Sequence, residues 1–108
     1  MPELVPLAGF EGDVQAEYER REDSESGGGD RFYAELERGL RQLCVFPNSG
    51  SRIKGTAIRR LLVCGSRFAV IHVPEHRGVV LHALLDLLAN PDLNARRIRQ
   101  ITQRLSQP

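Results

Sequence analysis

Apolar residues along this chain change their spacing near residue 50, and the change divides the sequence into two kinds of structure. Phe10, Val14 and Tyr18 recur every four residues with Glu11, Asp13, Glu17, Glu19 and Arg20 between them. That is the period of a one-faced helix and predicts one over 10–24. Three consecutive glycines, Gly27 to Gly29, interrupt the pattern, and Asp30 stands where an N-cap would start a second helix. Phe32, Leu36, Leu40 and Leu43 give that helix an apolar stripe over 30–45, with Gly39 expected to let the two helices approach. Pro47 ends it, because a residue preceding proline avoids the α region.

Beyond residue 50 the pattern is that of strands. Ile58–Val63, Phe68–Val73 and Val79–Leu85 are runs of Val, Ile and Leu separated by turn residues. They predict an antiparallel meander over 58–85, with a central middle strand that is apolar on both faces. Asn90-Pro91 is a helix start, followed by a sparse stripe of Leu93, Ile98, Ile101 and Leu105 over 91–105. Residues 3–7 form a short strand, and Pro6 restricts it to an edge. The expected fold is α+β in one domain spanning 1–108. An N-terminal edge strand and an antiparallel helical hairpin pack on a three- to four-stranded antiparallel sheet with a C-terminal helix.

Composition narrows the class. With 108 residues and 41% hydrophobic content the chain can bury a core, which excludes disorder throughout. Ten glycines and six prolines exclude a coiled coil. No apolar run is long enough to span a membrane, and the N-terminal segment lacks the basic and apolar regions of a secretion signal. Cys44 and Cys64 are too few for a disulfide framework and lack zinc-site spacing, so they read as ordinary thiols in a reducing cytoplasm. The net charge of +1 conceals a division. Residues 1–50 hold 5 arginines against 11 acids, a balance of −6, and residues 51–108 hold 10 cations against 3 acids, a balance of +7. The basic half is suited to docking on an acidic surface or on phosphate.

The order strand, helix, helix, meander, helix resembles the RelE/ParE family of bacterial toxins. Asp30-Arg31-Phe32 through Leu40-Arg41-Gln42-Leu43 with Phe46-Pro47 is similar to the family's second helix and its exit. Arg59-Arg60-Leu61-Leu62-Val63 and Phe68-Ala69-Val70-Ile71-His72 are similar to its two central strands, with His72 where a tyrosine is common. Ala83-Leu84-Leu85-Asp86 followed by Asn90-Pro91 is similar to its last strand and exit. The resemblance spans roughly residues 3–92. It implies a type II toxin–antitoxin module, associated with plasmid stabilisation, in which a cognate acidic antitoxin neutralises the toxin in a heterotetramer or larger complex. RelE-like members cut mRNA on the ribosome; ParE-like members inhibit DNA gyrase by a protein–protein contact.

The residues favour the second branch. Cleavage through a 2′-hydroxyl needs cations, a base and an acid. Arg52, Lys54, Arg59, Arg60 and Arg67 supply the cations. The resemblance places a Tyr or His near the C-terminus of RelE-like enzymes, and this chain ends Arg104-Leu105-Ser106-Gln107-Pro108. His72, His76 and His82 remain. With the Pro74–Arg77 turn pairing His72 near Val79, His82 lies several residues along the next strand, so His72 and His82 can share a face without opposing each other. Strand histidines are more often structural, and Asp86 reads as a cap or ion-pair partner. Phe68 is the only aromatic of the basic half, too few for an RNA channel. The expected function is therefore gyrase inhibition, with no catalytic residues, cofactor or metal. Partners are expected to meet Arg52, Lys54, Arg59, Arg60 and Arg67, and an antitoxin segment to lay apolar anchors against Phe10 and Val14. The alternatives are a RelE-like ribonuclease using Lys54, Arg60 and His82, and a decayed homologue that only binds antitoxin.

Overall fold

The computed structural model describes residues 2–107. Its elements are β1 (Glu3–Pro6), α1 (Ala8–Ser24), α2 (Gly28–Val45), β2 (Ser51–Arg52), β3 (Arg59–Val63), β4 (Phe68–Glu75), β5 (Gly78–Asp86) and α3 (Pro91–Leu105). The fold is α+β. The sheet is wider than the sequence predicted and is mixed, five strands in the order β1-β5-β4-β3-β2. β3, β4 and β5 form the antiparallel meander, two-residue β2 extends it antiparallel to β3, and β1 joins β5 in parallel. Pro6 sits in the edge strand, where its missing N–H costs no ladder bond.

Alternation along β4 supplies two apolar faces. Phe68 and Val70 join Phe10, Val14, Phe32, Leu36 and Leu43 in a core beneath the helical hairpin. Ala69, Ile71 and Val73 join Ala83, Leu85 and Ile101 in a second core beneath α3. Each core removes apolar surface from water at about 25 cal/mol per Å², which makes burial the main stabilising term on both sides of the sheet.

The helical hairpin closes differently from the expectation. Asp30 is not the N-cap: α2 begins at Gly28, and Gly27 precedes it in the left-handed region at φ 84°. The Asp30 carboxylate accepts instead from the Tyr18 hydroxyl at 2.7 Å. Nor does Gly39 bring the helices together; it faces Val63 of β3. The close approach is at Gly28 and Gly29, where a Cβ would lie 2.7 Å from the Arg21 backbone oxygen and 2.9 Å from the Tyr18 ring, respectively. Periodicity identifies the apolar face of each helix, but not which small residue meets which neighbour.

β5 carries an irregularity that organises the far side of the sheet. Register runs Ile71↔Ala83 and then His72↔Leu81, so His82 is an extra, unpaired residue. The resulting bulge reverses the alternation, and β1 stops pairing with β5 at Leu81. Further along that edge the Leu84 N–H needs an acceptor. Asp13 of α1 supplies it at 2.9 Å and also receives a two-pronged guanidinium contact from Arg97 of α3, both at 2.9 Å. One carboxylate thus joins α1, β5 and α3. Asp13→Ala leaves a part-buried N–H and a guanidinium without their acceptor, and is expected to lower stability by about 2 kcal/mol. Urea unfolding should show the midpoint fall with an unchanged slope, and Asp13→Asn, which keeps an acceptor for Leu84, should lose less.

Candidate functional site

Two surfaces stand out, at opposite edges of the sheet. The first is an apolar groove of about 690 Å³ between α1, α2 and the β1 edge. Phe10 and Val14 of α1 form one wall, Tyr33, Leu36 and Leu40 of α2 form the other, and Leu4 and Leu81 come from the sheet. The i, i+4 stripes that build the hairpin's core face also supply these walls: Phe10, Val14 and Leu36 are buried, and Tyr33 and Leu40 stand more open. Tyr33 is 47% exposed and packs edge-on against Tyr18 with ring centroids 6.2 Å apart. It lies off the main stripe of α2, so its place in the groove was not predicted.

The second surface is the β2–β3 edge. From Pro47 to Arg67 the sequence contains no acidic residue. Arg52 and Arg59 stand directly opposite each other in register, an arrangement in which like charges repel. Each guanidinium is anchored on a backbone oxygen, Arg59 on that of Gly50 at 3.0 Å and Arg52 on that of Thr56 at 2.8 Å. Lys54, on the loop before β3, and Arg60 are both exposed. Neither takes part in an ion pair among the described residues. The edge concentrates uncompensated positive charge, as a docking surface for carboxylate or phosphate requires.

Arg67 is separate from this group. Its Nε and Nη2 donate to the two carboxylate oxygens of Asp86 at 2.9 and 3.0 Å. Those bonds, first among several causes, hold the Asp86 carboxyl below the ordinary carboxylate range. Nearby, the buried Glu17 carboxylate is paired with Arg20 and with Arg21. The Arg21 guanidinium lies over the rings of Phe32 and Phe68 at 5.2 and 5.5 Å. This ionic cap seals one end of the hairpin core, and it gives Arg67 an internal partner.

The histidines are not assembled into a catalytic group. The β4–β5 turn is tighter than predicted, with Glu75 opposite Gly78, so His72 pairs with Leu81 and not with Val79. His72 is fully buried, its ring nitrogens contacting the backbone oxygens of Val70 and Ser49 at 2.9 and 3.0 Å. The bulge places His82 on the opposite face, 8% exposed and without a hydrogen-bond partner at either ring nitrogen. The two imidazoles therefore do not share a face. Lys54, Arg60 and His82 are likewise not gathered at one open cleft, since His82 is buried while both cations are exposed. Burial, and Glu35 after it, pushes the Cys64 thiol up, away from the reactive thiolate. Among the described residues no group of His, Cys, Asp and Glu is arranged to hold a metal ion, and no helix is long and apolar enough to cross a membrane.

A solved structure described as "Chromosomal ParDE TA system from P. aeruginosa" superposes on this chain with a TM-score of 0.66 and 12% identity, covering 80% of this chain and 96% of that one. The chain has a RelE/ParE-like fold. No protein-family model matches the sequence, and no curated protein matches it. At 12% identity the likeness lies in the arrangement of elements.

His82 gives this fold a pH-sensitive point. Burial first, and the Arg104 guanidinium second, hold its imidazole below the ordinary value of 6.5, against an opposing pull from Glu75. Between that depressed value and 6.5 the unfolded chain binds the proton and the folded chain does not, so stability is full above 6.5 and falls as pH drops. Asp86 acts in the same direction but only below the carboxylate value of 3.8. Thermal unfolding between pH 7 and pH 5 is expected to show a declining Tm that flattens in His82→Leu.

Proposed function

We propose that this chain is the toxin of a toxin–antitoxin pair, acting by protein–protein inhibition with DNA gyrase as its target. The observation that carries the reading is the burial of the imidazole nearest the cationic edge. The imidazole next to the cations of the β2–β3 edge, His72 opposite Arg59 in register, is buried with both ring nitrogens on backbone oxygens. His82 is buried as well, while the exposed His76 lies in the β4–β5 turn. Such an edge can grip an acidic surface without offering an acid and base for breaking a phosphodiester. The likeness to a chain of a ParDE system supports a toxin–antitoxin role, and the apolar groove lined by Phe10 and Val14 is a suitable seat for a segment of a cognate antitoxin. In this reading Arg52, Lys54, Arg59 and Arg60 orient the encounter, whereas Arg67 serves the fold through Asp86.

Purified chain added in stoichiometric excess to a gyrase supercoiling reaction is expected to inhibit it. Arg60→Ala should weaken inhibition by about tenfold, the effect of removing a well-placed interface charge. Translating ribosomes supply the opposing test. Codon-dependent mRNA cuts that vanish in Arg60→Ala would move the chain to the ribonuclease branch. Inhibition of neither system would leave a chain that binds antitoxin without toxicity.

A further inference from the structure

The sheet separates two helical layers of opposite charge. On one face, α1 holds six acids against two arginines over Ala8–Ser24; on the other, α3 holds four arginines against one acid, Asp92 in its first turn. Of the α3 arginines, Arg97 is committed to Asp13. Arg96, Arg99 and Arg104 are exposed and take part in no ion pair among the described residues. The inward side of α3 is Ile101, with Ile98 partly buried beside it. At 3.6 residues per turn the side opposite Ile101 carries Arg96, Arg99, Gln100 and Gln103, all exposed.

The chemistry of this outer ridge narrows the partner. It has no apolar side chain, since the exposed Leu93 and Leu105 lie off it in the first and last turns, so it lacks the apolar centre on which a protein–protein contact is built. Arginine and glutamine make two-pronged contacts with the major-groove edges of guanine and adenine, and arginine does so with phosphate. After Phe68, which is buried, the chain has no aromatic residue, so this face offers no platform for stacking the bases of a single strand. Shape points the same way. α3 is 15 residues, about 22 Å long, and a helix fits the major groove of B-form DNA, about 12 Å wide, whereas that of duplex RNA is too narrow. Past the last turn of α3, the β2–β3 loop packs on Thr102 and Leu105 and extends the positive face with Lys54.

We propose that α3 is a docking helix for double-stranded DNA, laying its Arg96, Arg99 and Gln103 ridge into the major groove with Arg104 and Lys54 on the phosphates. The acidic layer of α1 faces away from the duplex, so the field of the chain attracts DNA from the α3 side and repels it from the other. Each guanidinium that neutralises a phosphate releases a counterion, which makes the binding steeply dependent on salt. DNA binding of this kind holds or fails independently of the toxin reading.

Fluorescence anisotropy of the full chain with a labelled DNA duplex of about 20 base pairs, two turns, is expected to give micromolar binding at about 50 mM salt, weakening at least about tenfold by about 200 mM. A single strand of the same length, an RNA duplex and polyglutamate are each expected to bind at least about fivefold more weakly. Arg96→Ala/Arg99→Ala should weaken DNA binding at least about tenfold. Arg38→Ala/Arg41→Ala removes the same charge from exposed positions of α2 and should leave the affinity within about twofold. Circular dichroism checks that both variants are folded. No duplex binding at the lower salt, or an unchanged affinity in the folded α3 variant, would overturn the proposal. So would equal losses in the two double variants, which would reduce the effect to net charge. Polyglutamate bound as tightly as DNA would instead mark α3 as a surface for acidic protein, and RNA or single strands bound as tightly would remove the groove from the account.

Discussion

β4 has no face that tolerates water. From Phe68 to Val73 every side chain is buried, and the one polar member, His72, meets backbone oxygens at both ring nitrogens. A strand of this kind must be covered on both sides, so the helical hairpin on one face and α3 on the other are required together. The hairpin meets this demand with two long stripes. α3 has one fully buried residue, Ile101, with Ile98 partly buried beside it. Polar contacts add to this in fixing its position, the Arg97 guanidinium on Asp13 and the Asn94 side-chain amide on the backbone oxygen of Asp86 at 2.9 Å. The side of the molecule with the smaller apolar anchor is thus the side with the more specific hydrogen bonding.

The same constraint explains why the groove exists. Sheet closure over the hairpin face would need a long strand beside β5, and β1 supplies four residues with Pro6 at its end. The bulge at His82 then turns the β5 edge away, so Asp13 replaces a strand as the acceptor for Leu84. At Gly78 a Cβ would lie 2.2 Å from the Glu3 backbone oxygen, so even this short pairing depends on glycine. What remains partly uncovered is the outer part of the α2 stripe, Tyr33 and Leu40, while Phe10, Val14 and Leu36 beside it are core. Local sequence at one edge strand therefore bears on how much of the hairpin's apolar surface stays open.

Much of this architecture was legible from residue spacing because spacing reports which side of an element is apolar. The stripes of α1 and α2, the two-faced centre of the meander and the Asn90 cap are local signals. Asn90 does accept from the Asp92 N–H, at 2.8 Å. Features set by long-range pairing were not legible. The parallel pairing of β1 with β5 joins residues 3–6 to 78–81, and no local pattern encodes it. Asp13 looked like any solvated helix carboxylate, because its partners lie 71 and 84 residues away. The bulge was hidden for a related reason: a run of apolar residues on a strand buried from both sides has no alternation whose reversal could be noticed. At the site, the cationic cluster was visible as a stretch without acids. Which cation is committed internally was not, since the Asp86 that pairs with Arg67 lies 19 residues away on β5.

Placing the groove and the cationic edge at opposite ends of a five-stranded sheet has a geometric consequence for any partner that uses both. Four inter-strand spacings separate β1 from β2, about 19 Å at about 4.8 Å each. An extended chain needs at least about six residues to cover that distance, and more if it passes over α2 on the way. A short peptide can therefore occupy one surface but not bridge them, whereas a longer flexible segment gains from effective concentration once its first part is seated. The asymmetry of the sequence, acidic before residue 50 and basic after it, becomes in the fold an asymmetry between two edges. A partner that contacts both edges therefore fits better as a segment that wraps around the sheet than as a compact body.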